Sequence, residues 1–232
     1  MKIMSFNTQH CLNFIEQKID YQIMADAIKK VNPDIVGLNE MRNSAPASEY
    51  DNQAAILSEL TELKHHYFAG AIVVNDKYSY GNALLSKLPI LSAETIPVPD
   101  PESRTEGGTY ETRCLLKAKL EGGVTVLVIH FGLNPDEQKN AVETVVENLE
   151  DEKCILMGDF NVVPEDEVLN PIRARMKDTA DCFDKTLLSF PSDNPQRKID
   201  YLFVSPDVEV VSADIPEIVA SDHRPHIATV NI

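Results

Sequence analysis

Polar side chains stand next to many of the apolar segments of this 232-residue chain, and their types are those that bind cations or move protons. They occur in the following short stretches: Asn7, Asn39-Glu40, His130, Gly158-Asp159-Phe160-Asn161, Ile199-Asp200-Tyr201 and Ser221-Asp222-His223-Arg224-Pro225. If these segment ends share one edge of the fold, carboxylates, amides and histidines meet in one place. Oxygen-rich ligands of this kind suit Mg²⁺ or Mn²⁺, whereas a cluster without cysteine does not suit structural zinc. Because crowded carboxylates repel one another, such a cluster requires a cation or a shared proton.

The segments that would position these residues follow from hydrophobic periodicity. Strands are predicted at 2–7, 34–40, 65–74, 83–86, 90–98, 113–120, 124–130, 154–158, 199–205, 208–213 and 226–232, and helices at 21–31, 51–63 and from Pro135 onwards. Asn134 followed by a proline and two acids is typical of a helix start. The apolar run 124–129 must be covered on both faces. Two stacked mixed sheets with helices outside them satisfy these patterns.

The composition narrows the class of protein. Acidic residues number 37 and Lys and Arg together 21, so the formal net charge is −16. This excess argues against tight passive binding to long nucleic acid, which needs cationic side chains on the phosphates, but a bound cation can reverse the local sign. We find no internal repeat, linker, signal peptide or membrane-spanning run, and four scattered cysteines that we interpret as reduced thiols. We therefore expect one domain over residues 1–232 in a cytoplasmic protein without stable membrane association.

The polar stretches, taken in order, resemble the motifs of the endonuclease/exonuclease/phosphatase superfamily. Two further segments share in the resemblance, Ser86-Lys87-Leu88-Pro89-Ile90 and Glu111-Thr112-Arg113, and the match extends from Asn7 to Pro225. The resemblance implies an α+β fold, the DNase I-like four-layer αββα sandwich of two stacked mixed β-sheets flanked by helices. Two positions depart from the family pattern. Asn39 stands where the family more often has Gln, and Gln9 where many members have Asn.

The same resemblance implies roles for nine residues. Glu40 would be the principal metal carboxylate, Asn7 would steady the metal or its water, and Asp222 would lie beside the metal. Asp159 would orient and deprotonate the attacking water, and Asn161 would bind a phosphate oxygen or the metal shell.

Two histidines would face the phosphate. His223 would stabilise developing charge while Asp200 holds its other ring nitrogen, the orienting arrangement known from catalytic triads. His130 would assist the leaving oxygen. Glu111 would pair with His130, although pairing with Arg113 on a strand edge is an equal alternative. His226 is interpreted as structural, and His10 could reach the cleft.

The sequence therefore predicts a divalent-metal-dependent phosphoester hydrolase, a phosphodiesterase or phosphatase that uses in-line attack of an activated water. Because Trp is absent and only 6% of residues are aromatic, no base-stacking surface is evident, and we expect a small or soluble phosphoester as substrate. Three alternatives stay open: a DNA or RNA endonuclease or exonuclease, a non-catalytic binding module, and a lipid phosphohydrolase. The sequence does not determine the substrate, the choice between Mg²⁺ and Mn²⁺, the number of metals, the pathway or the oligomeric state.

Overall fold

The computed structural model describes residues 1–44, 51–104, 107–183 and 187–232. The strands in these ranges are β1 (Lys2–Asn7), β2 (Leu12–Asn13), β3 (Lys18–Ile19), β4 (Ile35–Ser44), β5 (His65–Val74), β6 (Tyr78–Ser86), β7 (Ile90–Pro97), β8 (Cys114–Leu120), β9 (Thr125–His130), β10 (Cys154–Asp159), β11 (Lys177–Asp178), β12 (Asp200–Val204), β13 (Glu209–Asp214) and β14 (His226–Asn231). The helices are α1 (Tyr21–Val31), α2 (Gln53–Thr61), α3 (Pro135–Asn148) and α4 (Asn170–Arg173), with 3₁₀ turns at Gln9–Cys11, Glu167–Leu169 and Ala180–Cys182.

Local side-chain chemistry explains where the two longest helices begin. The carboxylate of Asp20 accepts the backbone N–H groups of Gln22 and Ile23, which lack partners inside the first turn of α1. At α3, Asn134 and Glu137 form a reciprocal capping box and Pro135 occupies the first turn. The sequence prediction of both helix starts is confirmed.

Two six-stranded sheets carry the fold. Their strand orders are β13-β14-β1-β4-β6-β5 and β11-β12-β10-β9-β8-β7. In the first sheet β1 and β4 are parallel, with Asn7 opposite Asn39. In the second sheet β9 and β10 are parallel, with His130 opposite Asp159. Because parallel strands end at the same edge, the polar residues that follow them are brought together there.

Three apolar layers hold the sheets and helices together. The first lies between the two sheets and includes Ile3, Leu116 and Met157. The second joins the first sheet to α1 and α2, and the third joins the second sheet to α3. Burial on both faces accounts for the uninterrupted apolar run of β9. The predicted α+β sandwich of two stacked sheets with flanking helices is confirmed.

The structure corrects the sequence prediction at β4 and β6. We expected the strand at residues 34–40 to end with Glu40, but β4 continues to Ser44. Its pairing with β6 shifts register between Leu38 and Met41, so a bulge places Glu40 within the strand. A bulge turns a side chain out of the regular alternation without ending the strand. β6 is also longer than the predicted 83–86 because it pairs with β4 on one side and β5 on the other.

The four cysteines are free thiols, of which Cys182 is exposed and the others are buried. Among the described residues, none of the helices combines the length and the apolar character that crossing a membrane would require.

Candidate active site

Asp159 lies at the centre of the polar edge. Its Oδ2 accepts from Asn7 Nδ2 at 3.0 Å, and the Nε2 atoms of His130 and His223 lie at 3.5 and 3.6 Å. Its other oxygen accepts the backbone N–H of Asn161 at 2.9 Å. Burial raises the pKa of Asp159 above its usual value, the nearby Asp200 adds to this, and the imidazolium of His223 opposes it. A carboxyl with a raised pKa is suited to exchanging a proton with water near neutral pH.

The turn that carries Asp159 depends on a residue without a side chain. Gly158 has a φ of 152°, and a Cβ at this position would lie 1.8 Å from the backbone oxygen of Ile129. Asn161, three residues later, has a left-handed φ of 53°. Strained backbone is often found at functional sites, where the surrounding structure imposes it.

We expect Gly158→Ala to lower the free energy of unfolding by about 3 kcal/mol or more, because the methyl group meets backbone that cannot move aside cheaply. Urea unfolding followed by circular dichroism measures this change. Gly107→Ala is the matched control, since a Cβ there would meet nothing within 4 Å. A difference between the two variants below about 1 kcal/mol would contradict the steric argument.

Asp200, the first residue of β12 in the second sheet, forms a buried pair with His223, which lies in the loop before β14 of the first sheet. His223 Nδ1 donates to Asp200 Oδ2 at 2.8 Å, and both side chains are almost wholly buried. Burial alone would lower the pKa of His223, but the carboxylates of Asp200 and Asp159 outweigh it and raise this pKa to about 10. His223 is therefore a cation at neutral pH. Phe190 packs against its ring, with the ring centroids 4.8 Å apart.

His130 differs from His223 in its charge. Burial and then the guanidinium of Arg113 hold the pKa of His130 well below its usual value, so its ring is neutral. Arg113 Nη1 lies 3.2 Å from His130 Nδ1. Because a guanidinium can only donate, this contact leaves Nδ1 without a proton and assigns the proton to Nε2, which faces Asp159.

Glu111 pairs with Arg113 and not with His130. Its carboxylate contacts Arg113 Nη1, and the guanidinium lies between the acid and the imidazole. Of the two arrangements that the sequence left open, the structure therefore has the acid–arginine pair. The reason is geometric, because Arg113 extends from the start of β8, which pairs directly with β9, the strand of His130.

The residues predicted to hold a metal lie around Glu40. This residue has a left-handed φ of 59° at the bulge, and its Oε1 accepts from Asn7 Nδ2 at 3.1 Å. Asn7 thus joins the carboxylates of Glu40 and Asp159. Tyr80 lines the same cavity as Glu40, and burial and the charges of Glu40 and Glu111 raise its pKa, so its hydroxyl stays protonated. His10 Nδ1 lies 4.0 Å from Glu40 Oε2.

Asp222 is partly exposed and accepts from Ser221 Oγ at 3.0 Å. Burial raises its pKa, and the charge of Glu40 contributes to the increase while His223 opposes it. His226, the residue directly after the Ser221-Asp222-His223-Arg224-Pro225 stretch, is wholly buried and contacts Thr179 Oγ1 and the backbone oxygen of Asp200. These contacts are those of a structural histidine.

Asn39, which departs from the family pattern, links the two sheets behind the site. Its Oδ1 accepts the backbone N–H of Asp159 at 2.9 Å. Its Nδ2 donates to Asn82 Oδ1 and to the backbone oxygen of Ile129. The side chain is buried and does not enter the cleft. The shorter amide therefore fits a position whose task is to hold the backbone of the catalytic turn.

A cavity of about 230 Å³ opens over these residues. Six of the nine predicted site residues line it: Glu40, Glu111, His130, Asp159, Asn161 and His223. Asn7 and Asp200 are fully buried, and Asp222 is not part of the lining. Tyr80, Thr109 and Leu133 also line the cavity, and the sequence analysis did not single them out. Tyr80 lies inside a regular strand, so only the pairing of β6 with β4 brings it to Glu40.

A larger cavity, of about 580 Å³, lies elsewhere and is lined by residues that include Val163, Ala180, Phe183, Leu187 and Gln196. None of the nine predicted residues lines it. We place the candidate active site in the smaller cavity because acidic, basic and amide groups converge only there on one carboxylate among the described residues.

The donor set fits a divalent cation on the Glu40 side of the cleft. Asp159, Asp200 and His223 bring possible ligand atoms within 4.8 Å of one another. However, His223 Nδ1 is occupied by Asp200, and a protonated imidazole does not bind metal. Glu40 and Asp222 offer carboxylate oxygens, the ligands that Mg²⁺ and Mn²⁺ prefer. The mutual repulsion of these carboxylates favours a cation between them.

Comparisons with known proteins identify the family of this chain. The model of the endonuclease/exonuclease/phosphatase family matches residues 4–223, and the chain belongs to this family. Members of the family are hydrolases that act on phosphoesters, and the superfamily generally uses divalent metals. None of the curated protein sequences matches the chain.

Solved structures share the fold at low sequence identity. An endonuclease/exonuclease/phosphatase from Beutenbergia cavernae DSM 12333 is 22% identical with a TM-score of 0.78, over 100% of this chain and 71% of that one. A family protein from Leptotrichia buccalis C-1013-b is 18% identical with a TM-score of 0.78, over 100% of both chains. A mannosyl-6-phosphatase from Bacteroides thetaiotaomicron VPI-5482 is 16% identical with a TM-score of 0.77, over 100% of both chains.

Proposed function

We propose that this protein is a divalent-metal-dependent phosphatase or phosphodiesterase that hydrolyses small, soluble phosphoesters by in-line attack of water. One observation carries the proposal. Asp159 Oδ2 faces an amide, a neutral imidazole and an imidazolium inside a single cavity, a few ångströms from the carboxylate of Glu40. This arrangement combines a proton acceptor, a fixed positive charge and a cation site around the space where a phosphate would lie.

Asp159 acts as the base in this mechanism. Its Oδ1 is held by the N–H of Asn161 and its Oδ2 by Asn7, so the carboxylate has one fixed orientation. A water that donates to this carboxylate loses its proton as it attacks phosphorus. When bound, a divalent cation supplies charge neutralisation at a non-bridging phosphate oxygen.

The two histidines contribute in different ways. His223 stays protonated through its pair with Asp200, and its positive charge is fixed in place before the transition state forms. His130 is neutral and offers its Nε2–H as a hydrogen-bond donor to the phosphate. Because His130 carries no positive charge, we assign the stabilisation of developing charge mainly to His223, and a solvent water protonates the leaving oxygen.

The basic residues support a small substrate. Four basic residues of the described part of the chain, Arg104, Arg113, Arg175 and Lys198, each contact a carboxylate, and Lys198 is buried. Their charges are therefore largely compensated within the protein. A polynucleotide would need a continuous track of uncompensated cations along its backbone. The cavity of about 230 Å³ is also at the small end of ligand sites.

The test is a substrate panel measured with Mg²⁺, with Mn²⁺ and with a chelator. It contains sugar phosphates, other phosphomonoesters, small phosphodiesters, single- and double-stranded DNA, RNA, and lipid headgroup esters in vesicles. We expect turnover of a small ester that requires the metal. Faster turnover of DNA or RNA, falling steeply with salt, would replace the proposal by a nuclease. Turnover only in vesicles would replace it by a lipid hydrolase, and no turnover of any ester would favour a binding module.

Glu40→Gln is expected to raise the metal concentration for half-maximal activity by about tenfold to a hundredfold, because it removes one negative ligand oxygen. Titration calorimetry with Mn²⁺ measures the same loss without substrate. Glu94→Gln, on the exposed surface of β7, is the matched control. Unchanged Mn²⁺ affinity in folded Glu40→Gln would remove Glu40 as the principal metal carboxylate.

A further inference from the structure

Side chains at the start of α3 hydrogen-bond the backbone of the segment that precedes β8. Glu137 is buried, and its Oε1 accepts the backbone N–H of Glu111 at 3.0 Å. Its Oε2 accepts both the N–H and the Nδ2 group of Asn134, which in turn donates to the backbone oxygen of Thr109. A Cβ on Gly132 would lie about 2.5 Å from the Glu137 side chain, so the carboxylate is packed against bare backbone. We call Asn134, Glu137 and their bonds to Thr109 and Glu111 the α3 clamp.

The α3 clamp is connected to the candidate active site through two residues. Its bond to the Glu111 backbone fixes the residue whose carboxylate contacts Arg113. Arg113 then contacts His130 Nδ1 at 3.2 Å, with only 12% of its own side chain exposed. The position of the guanidinium therefore depends on a buried carboxylate that does not itself enter the cleft.

Two donors compete for the single lone pair of His130. Arg113 Nη1 faces Nδ1, and Asn161 Nδ2 lies 3.2 Å from Nε2. A neutral imidazole has one acceptor nitrogen and one N–H, so it can accept from only one of these donors. Asn161 has a second partner in the backbone oxygen of Phe131, whereas a guanidinium is charged and forms the stronger bond. Arg113 in its observed position therefore places the proton on Nε2, next to Asp159.

We infer that Glu137 is a positioning residue that sets which nitrogen of His130 carries the proton, acting through Glu111 and Arg113. If the α3 clamp is loosened, Arg113 withdraws and Asn161 donates to Nε2. The proton then moves to Nδ1, and His130 loses the N–H that faces Asp159 and a phosphate. The inference rests on the proposed function only for its effect on turnover, since the tautomer is a property of the protein without substrate.

The experiment is nitrogen-15 NMR of the histidine rings in the full chain, which distinguishes a protonated from an unprotonated ring nitrogen. We expect the Nε2–H form in the unchanged protein and in Glu143→Gln, an exposed carboxylate of the same helix. We expect a shift towards the Nδ1–H form in Glu137→Gln and in Arg113→Met. For an active enzyme, Glu137→Gln should also lower kcat about tenfold to a hundredfold while changing KM less.

Asn134→Ala provides a second variant of the α3 clamp if Glu137→Gln does not fold, because it removes the side-chain bonds to Thr109 and Glu137 Oε2 but keeps the Glu137 carboxylate and its bond to the Glu111 backbone. We expect the same tautomer shift at smaller amplitude. An unchanged Nε2–H form in the folded variants of the α3 clamp overturns the inference, whatever the activity. A tautomer shift in a protein that hydrolyses no phosphoester would leave the inference intact and remove the proposed function.

Discussion

Asp159→Asn is expected to lower kcat for phosphoester hydrolysis by a factor of roughly 10² to 10⁴, the usual contribution of a positioned acid–base group. The amide is nearly the same size, but it cannot accept a proton from water. In Asp159, Oδ1 accepts a hydrogen bond from the backbone N–H of Asn161 and Oδ2 accepts one from Asn7 Nδ2. The amide nitrogen of Asn must replace one of these oxygens, so that two donors face each other. KM should change much less than kcat, since the lost function acts mainly in the transition state.

The controls separate lost chemistry from lost structure. A mismatched buried donor costs about 1–3 kcal/mol of stability, so thermal unfolding must show that Asp159→Asn is folded at the assay temperature. Asp193→Asn removes an exposed carboxylate from the loop between β11 and β12 and should leave kcat unchanged. A loss below about threefold in folded Asp159→Asn would mean that another group activates the water.

The second large effect is expected for the pair of His223 and Asp200. His223→Ala removes a buried cation directed at the space beside Asp159, and we expect a loss of roughly 10² to 10³ in kcat, as for other preorganised charge-stabilising groups. Asp200→Asn should also be impaired. The double variant should be little worse than His223→Ala alone, because Asp200 acts through the imidazole and not on the substrate.

The pH dependence of Asp200→Asn tests the charge of His223 directly. Burial lowers the pKa of His223, and Asp200 is the strongest of the groups that raise it to about 10. Removing that carboxylate must therefore lower the pKa. Since the imidazolium is the active form, kcat/KM should begin to fall at a lower pH in Asp200→Asn than in the unchanged enzyme.

His66→Ala, an exposed histidine on β5, is the control for this series and should retain the original pH profile. Additive losses in the double variant would show that Asp200 has a role of its own, for example as a metal ligand. If kcat/KM of Asp200→Asn falls at the same high pH as that of the unchanged enzyme, His223 works as a neutral donor.

Much of the fold could be predicted because it depends on local patterns. The apolar run of β9, the capping residues of α3 and the proline after α1 each act within a few residues of where they stand. The polar residues at strand ends were recognisable for the same reason. β2 and β3, of two residues each, were missed because such short strands carry no periodic signal.

The parts of the site that escaped prediction depend on long-range register. Tyr80 reaches Glu40 only because β6 pairs with β4 across a bulge, and a bulge leaves no mark in hydrophobic alternation. In the sequence Asn39 was only a departure from the family pattern next to Glu40, yet it contacts residues more than 80 positions away in the other sheet. Whether Glu111 pairs with His130 or Arg113 was likewise a matter of which strands are adjacent.

The types of residue available at the cleft, and the strands that deliver them, are encoded locally in the primary structure. Their charges are not. His130 and His223 have the same ordinary pKa. His130 is the last residue of the apolar strand β9, and His223 shortly precedes β14. His130 is neutral because burial disfavours its charged form and Arg113 lies beside it, whereas His223 is cationic because the carboxylates of Asp200 and Asp159 outweigh the same effect of burial. Such differences arise only when distant segments pack together.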